Sequence, residues 1–197
     1  MFKFFSRWFS DPSPLPLTVA QLGDPILRQP AQAIDDPTAN WVQVLADQMI
    51  QHIEVSKAVG LAAPQVSQPY ALMVIASHPN DRYPDAPEME PLVLINPKIV
   101  AESETFVKDW EGCLSIPQLR GQVKRHQWIE VAYCDRAGQA QHIRFEDFVA
   151  RIFQHEYDHL IGKFFLDHLE QVDDLMTEKE WRDRILGGSP DDPSPKQ

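Results

Sequence analysis

A chain of 197 residues, 43% hydrophobic and 24% charged, is long enough for one domain with a substantial core and has the balance of an ordinary water-soluble globular protein. A net charge of −11 and a pI near 5.0 argue against specific nucleic-acid binding, which needs a basic surface for the phosphates. No apolar run reaches membrane-spanning length, and Lys3, Ser6 and Arg7 interrupt the apolar residues of the first ten, so neither a transmembrane segment nor a cleaved secretory signal is expected. The two cysteines, Cys113 and Cys134, are read as reduced and the compartment as cytoplasmic.

Phe2, Phe4, Phe5, Trp8 and Phe9 give residues 1–16 a bulky apolar side beside the charges of Lys3 and Arg7. A short interfacial helix fits that pattern. The preferred expectation is an N-terminal extension that packs on the domain or stays disordered, ended by the helix-breaking Asp11-Pro12-Ser13-Pro14. Asp36-Pro37 reads as a helix cap followed by a first-turn proline, and Trp41, Leu45, Met49 and Ile53 recur at every fourth position towards Lys57. Gly60 should end this helix with a positive φ. Residues 72–76 and 92–95 are short apolar, β-branched runs on either side of a loop holding Pro79, Pro84, Pro87 and Pro91. Residues 128–133 alternate, Arg136-Ala137-Gly138 turns, and 141–145 continue as a hairpin partner.

Residues 146–161 follow directly, with Val149, Ile152, Phe153 and Leu160 making the segment apolar on more than one face, as in a buried central helix. A last helix is expected over about 177–186, and residues 187–197 read as a disordered polar tail. These elements predict an α+β fold: mixed, mainly antiparallel sheets packed around a central buried helix, in one domain covering 17–186.

That central helix carries His155-Glu156-Tyr157-Asp158-His159, an HExxH pattern. Imidazoles at i and i+4 share one helix face and can bind one metal ion, and Glu156 can reach a water on the open side. Two histidines and a glutamate inside an apolar helix need partners, because burying unpaired polar groups costs several kcal/mol. A third ligand is offered by Cys113 in Glu111-Gly112-Cys113-Leu114-Ser115-Ile116-Pro117, where Gly112 and Pro117 favour a tight loop. Taken alone, such a cysteine is more often a small buried hydrophobe. In Gly60-Leu61-Ala62-Ala63-Pro64-Gln65, small residues permit close approach of a substrate backbone, and the Gln65 amide can donate to an oxygen that gains charge. The plain alternative is a helix end with a solvated Gln.

In this order and spacing, with Gln154 before the HExxH and Gly162 and Asp167 after it, the three motifs resemble the peptide deformylase family from about Leu17 to Leu169. The resemblance implies an enzyme that removes the N-formyl group from the formylmethionine of new polypeptides in the cytoplasm of bacteria or in organelles. It makes Cys113, His155 and His159 the ligands of one divalent metal ion, ferrous iron in the first place and zinc as the alternative. Glu156 becomes the general base, and the Gln65 amide and Leu114 N–H the donors to the formyl oxygen. Phe148 and Ile152, with Val59 and Leu114 opposite, would line the methionine pocket, although core packing is the competing reading for Phe148 and Ile152. The peptide would run beside Gly60, and Arg120 would contact it. Arg125 is expected to pair with Glu111 and steady the Cys113 loop.

The chain departs from the family pattern at Ala58, where glycine is usual, and at His168, often arginine. Altered substrate preference is therefore one alternative. A zinc endopeptidase is another, with His168 as its nearest downstream ligand, and a structural metal clip a third. Residues 170–197 hold eight acidic against four basic side chains, so any transient ribosome contact is not expected through a basic C-terminal helix.

Overall fold

The computed structural model describes residues 17–187, so the expectations for residues 1–16 and for 188–197 lie outside the described residues. The elements run in the order α1 (Asn40–Ser56), β1 (Gly60–Ala62), β2 (Leu72–Ile75), β3 (Leu92–Glu102), β4 (Phe106–Cys113) and β5 (Ile116–His126). They continue with β6 (Trp128–Cys134), β7 (Ala140–Glu146), α2 (Asp147–Leu160), β8 (Leu175–Thr177) and α3 (Glu178–Arg184). Short 3-10 turns punctuate them at Pro25–Arg28, Ala63–Val66, Phe165–His168 and Val172–Asp174. The expected α+β class with antiparallel sheets is the one that forms.

One sheet has five strands in the order β1-β2-β3-β6-β7, and the other has three in the order β4-β5-β8, every pairing antiparallel. Strand alternation explains how the larger sheet is covered on both faces. Leu72, Val74, Val93 and Ile95 pack with Val42, Leu45, Met49 and Ile53 of α1. Met73, Ile75 and Leu94, offset by one residue, pack on the other face with Ile129, Val131 and the α2 residues Ala150, Ile152 and Phe153. Because both faces are buried, β2 reads as an unbroken apolar run. The smaller sheet has its own core, where Ile116 and Val123 meet Leu27, Phe164 and Phe165. Helix α2 packs on strands of both sheets and is buried along most of its length.

Two local expectations are corrected. Asp36 does not cap α1; its Oδ1 accepts from the N–H and hydroxyl of Thr38, forming a turn, and the helix begins three residues later behind Ala39. The left-handed residue closing the helix is Lys57, with φ 53°, while Gly60 is already strand. Ala58 therefore carries no positive-φ strain. The tight loop expected around Cys113 forms as a two-residue turn at the end of a long hairpin: Cys113 faces Ile116 across the β4–β5 turn. The 128–146 hairpin and the last helix form as expected, with Thr177 accepting from Glu180 N–H as the cap of α3.

Candidate metal centre and cleft

Helix α2 delivers His155 and His159 one turn apart, and the β4–β5 hairpin delivers Cys113 to the same point. The Cys113 Sγ lies 3.3 Å from His159 Nε2, and the ligand atoms of Cys113, His155 and His159 all fall within 4.8 Å of one another. Legs of about 2.3 Å to sulfur and about 2.1 Å to nitrogen in a tetrahedral site put S and N about 3.6 Å apart, so this spacing fits one divalent cation with little rearrangement. Burial pushes the Cys113 thiol up, but the imidazoles of His159 and His155 outweigh it and hold the thiol well below its ordinary value. A thiolate between two imidazoles is a donor set suited to iron or zinc.

A second layer holds these ligands still. His155 Nδ1 sits 2.8 Å from Glu111 Oε2, which leaves its Nε2 for the cluster. Glu111 takes a fork from Arg125, each bond 2.9 Å, and a further 2.9 Å bond from Arg151. Although burial pushes the Glu111 carboxyl up, Arg125 and His155 hold it well below the usual carboxylate range. The expected Glu111–Arg125 pair is thus present. Arg151 was not anticipated: it also donates to the carbonyls of Val107 and Val123, tying α2 to β4 and β5. The signal was a lone arginine four positions before His155 in the otherwise apolar run 148–153. Arg125 reaches Asp158 at 2.7 Å, and His168 Nε2 lies 2.9 Å from the same carboxylate oxygen. His168 is therefore occupied beside the helix, outside the ligand cluster, against the endopeptidase alternative.

Gln65 is 2% exposed, and its amide orientation follows from its neighbour. The Ala62 N–H donates to Oε1 at 2.8 Å, which turns the NH2 group to Cys113 Sγ at 3.5 Å and Ser115 Oγ at 3.4 Å. Leu114 sits in the turn beside Cys113, its carbonyl accepting from Gln21. Glu156 is buried against Gly60, where an added Cβ would stand 2.5 Å from Glu156 Oε1. Close approach, and no special φ, is why glycine stands there. Burial raises the Glu156 carboxyl to about 7, and its Oε2 has no hydrogen-bond partner among the described residues.

Cys113, His155, Glu156 and Gln65 open into a cavity of about 270 Å³. Val59, Gly60, Leu114, Phe148, Ile152 and Arg120 all line it. Ala58 does too, so the departure from glycine adds a methyl group to the wall. Missed from the sequence were Tyr83, carried on the proline-rich loop and tilted on Phe148 at 5.0 Å, and Glu178 of α3. No local pattern pointed to either.

The polypeptide deformylase family model matches residues 16–174. The chain belongs to the polypeptide deformylase family. Its members are metal-dependent hydrolases that remove the N-formyl group of nascent polypeptides. The chain is 50% identical to peptide deformylase 2 of Nostoc sp. over 169 residues, covering 86% of this chain and 94% of that protein. It is 47% identical to peptide deformylase 2 of Shewanella oneidensis over 165 residues, 84% and 91% of the two chains. Its fold matches the Met-Ala-Ser-bound class I type b peptide deformylase of Acinetobacter baumannii with a TM-score of 0.76 at 41% identity, covering 78% of this chain and 98% of the other. The deformylase fold thus accounts for the helix between two sheets and the hairpin that meets it.

Proposed function

We propose that Cys113, His155 and His159 hold one divalent ion, ferrous iron in the first place and zinc as the alternative, and that residues 17–186 act as one catalytic domain on nascent formylmethionyl polypeptides. The observation that carries this reading is the meeting of three ligand atoms within 4.8 Å at the floor of a cleft that also holds Glu156 and the inward-turned amide of Gln65. When bound, the ion supplies Lewis acidity at the formyl oxygen and at the attacking water. Glu156 takes a proton from that water as its oxygen bonds to the formyl carbon. The same carboxyl returns a proton to the nitrogen as the C–N bond breaks, leaving formate and a free amino terminus. The Gln65 NH2 and the Leu114 N–H donate to the formyl oxygen while it carries negative charge.

Strand β1 is an edge of its sheet, and its Gly60 lines the cleft, so an extended peptide has a free strand edge to pair with. Phe148, Ile152, Val59 and Leu114 supply the apolar wall for an unbranched methionine side chain. That a 41% identical relative holds Met-Ala-Ser supports a peptide occupant. No helix among the described residues is long and apolar enough to cross a membrane, in line with a cytoplasmic or organellar enzyme meeting new chains. Helix α3 carries mixed charge, so any ribosome contact would use another surface.

The test is formate release from formyl-Met-Ala-Ser by protein purified without oxygen, beside Glu156→Ala, with metal content read on both. Release by the wild type, lost in a variant that keeps its metal, is expected. Metal without release from the wild type would instead indicate a relative with altered substrate preference, to which the Ala58 methyl in the wall would contribute.

A further inference from the structure

Arg120 is 3% exposed, yet it lines the cleft. Its Nε and Nη2 both donate to the carboxylate of Glu178, the latter at 3.2 Å, and its Nη1 donates to the Tyr83 hydroxyl at 2.8 Å. The face of the guanidinium lies 4.4 Å from the centre of the buried Trp181 ring. Gly112 makes room for it, since a Cβ there would come within 2.6 Å of the guanidinium. Three separate segments thus converge on one cation: the proline-rich loop through Tyr83, the β4–β5 hairpin through Arg120 itself, and the C-terminal helix through Glu178 and Trp181.

The backbone delivers Glu178 deliberately to this place. Strand β8 pairs Met176 with Arg120 and Thr177 with Leu119, and Thr177 then caps α3, so Glu178 is the first residue to turn back over the arginine. Arg182, one turn on, donates to the same carboxylate at 3.1 Å and keeps it facing inward. Glu178 lies four residues beyond the stretch matched by the family model, which ends at 174.

We propose that Glu178 is a positioning residue for substrate binding: by gripping Arg120 through two N–H groups it holds the guanidinium against Tyr83 and fixes the mouth of the cleft in one shape. This rests on the reading of the cleft as the peptide site. A buried guanidinium stripped of its carboxylate must find water, because an unpaired buried charge is costly. The cavity that Arg120 lines is the water at hand, so the freed side chain turns into the space of the peptide, and the Tyr83 loop loses its tether. The chemistry at Glu156 is untouched. The loss therefore falls on binding of ground state and transition state alike.

The experiment compares metal-loaded wild type, Glu178→Ala, Glu178→Gln and Tyr83→Phe by formyl-Met-Ala-Ser kinetics, and by calorimetric titration with the product peptide Met-Ala-Ser. For Glu178→Ala we expect KM and the product Kd to rise by about tenfold with kcat within about twofold, the pattern of lost uniform binding. Glu178→Gln, which keeps an acceptor for one N–H, should fall between, and Tyr83→Phe, which removes one hydrogen bond of the guanidinium, should raise KM by about threefold. Unchanged KM and product Kd in Glu178→Ala and Tyr83→Phe, with only a lower melting temperature, would overturn the proposal and leave the deformylase reading intact. If Glu178→Ala does not fold, Glu178→Gln and Tyr83→Phe decide it by the same two readouts. A wild type that binds Met-Ala-Ser no better than its variants and releases no formate would overturn both.

Discussion

His155 Nδ1 lies 2.8 Å from Glu111 Oε2, so the ring is oriented by a carboxylate 44 positions earlier in the chain. That carboxylate is shared by Arg125 and Arg151, and all four side chains are buried. Glu111→Ala removes the acceptor for all of them. We expect about 3–5 kcal/mol of lost stability, because two buried arginines lose their shared carboxylate, leaving Arg125 with Asp158 alone and Arg151 with backbone carbonyls. Metal affinity should fall by about 10–100-fold as the His155 ring loses its anchor. Denaturant unfolding and metal competition on the same variant check both numbers.

Gly60 touches the Glu156 carboxyl. Its Cβ, if present, would stand 2.5 Å from Oε1, inside any tolerated contact. Gly60→Ala should therefore displace the base and lower kcat by about 100-fold, the effect of an ångström of misplacement. Metal content should be unchanged, since the three atoms nearest that methyl all belong to Glu156. Equal loss of metal and activity would show the fault to be in folding.

Acid stability should depend on Asp167. Burial raises its carboxyl, but the Arg28 guanidinium and the Phe164 N–H outweigh this and hold it below the ordinary 3.8. A carboxyl depressed in the folded state contributes stability that is complete above its unfolded value and is lost as pH falls through the folded one. Wild type should lose stability progressively below pH 3.8, and Asp167→Asn should start lower and fall less steeply over that range. Melting temperatures from pH 6 down to about 3 would show the two curves converging.

Metal removal should stop catalysis without dissolving the fold. His155 is held by Glu111, and α2 by Arg151 and by Gln154, which bonds both the N–H and the carbonyl of His126. After chelation, formate release should vanish while far-UV dichroism persists, and ferrous iron added without oxygen should restore activity. Cys113→Ser should show the same fold with metal affinity reduced by orders of magnitude, since a hydroxyl does not ionise as the thiol does here.

Much of this protein is determined locally and could be read from the residues in order. The alternation in 128–146, the apolar positions of α2 and the spacing of His155 and His159 follow from periods of two and of 3.6 that operate within a few residues. Strands β4 and β5 were not legible, because their charged positions look solvated in the sequence. Glu111 and Arg125 are in fact buried against each other and against an arginine from another element. The turn at Asp36 and the left-handed Lys57 were also decided by context, where an Asx bond to Thr38 competed with the cap. Only tertiary structure brought Cys113 to the helix, set Cys113 and Ser115 before the Gln65 amide and placed Glu178 on Arg120. Those contacts join residues tens of positions apart, and no local periodicity encodes which charge will neutralise which once both have left water.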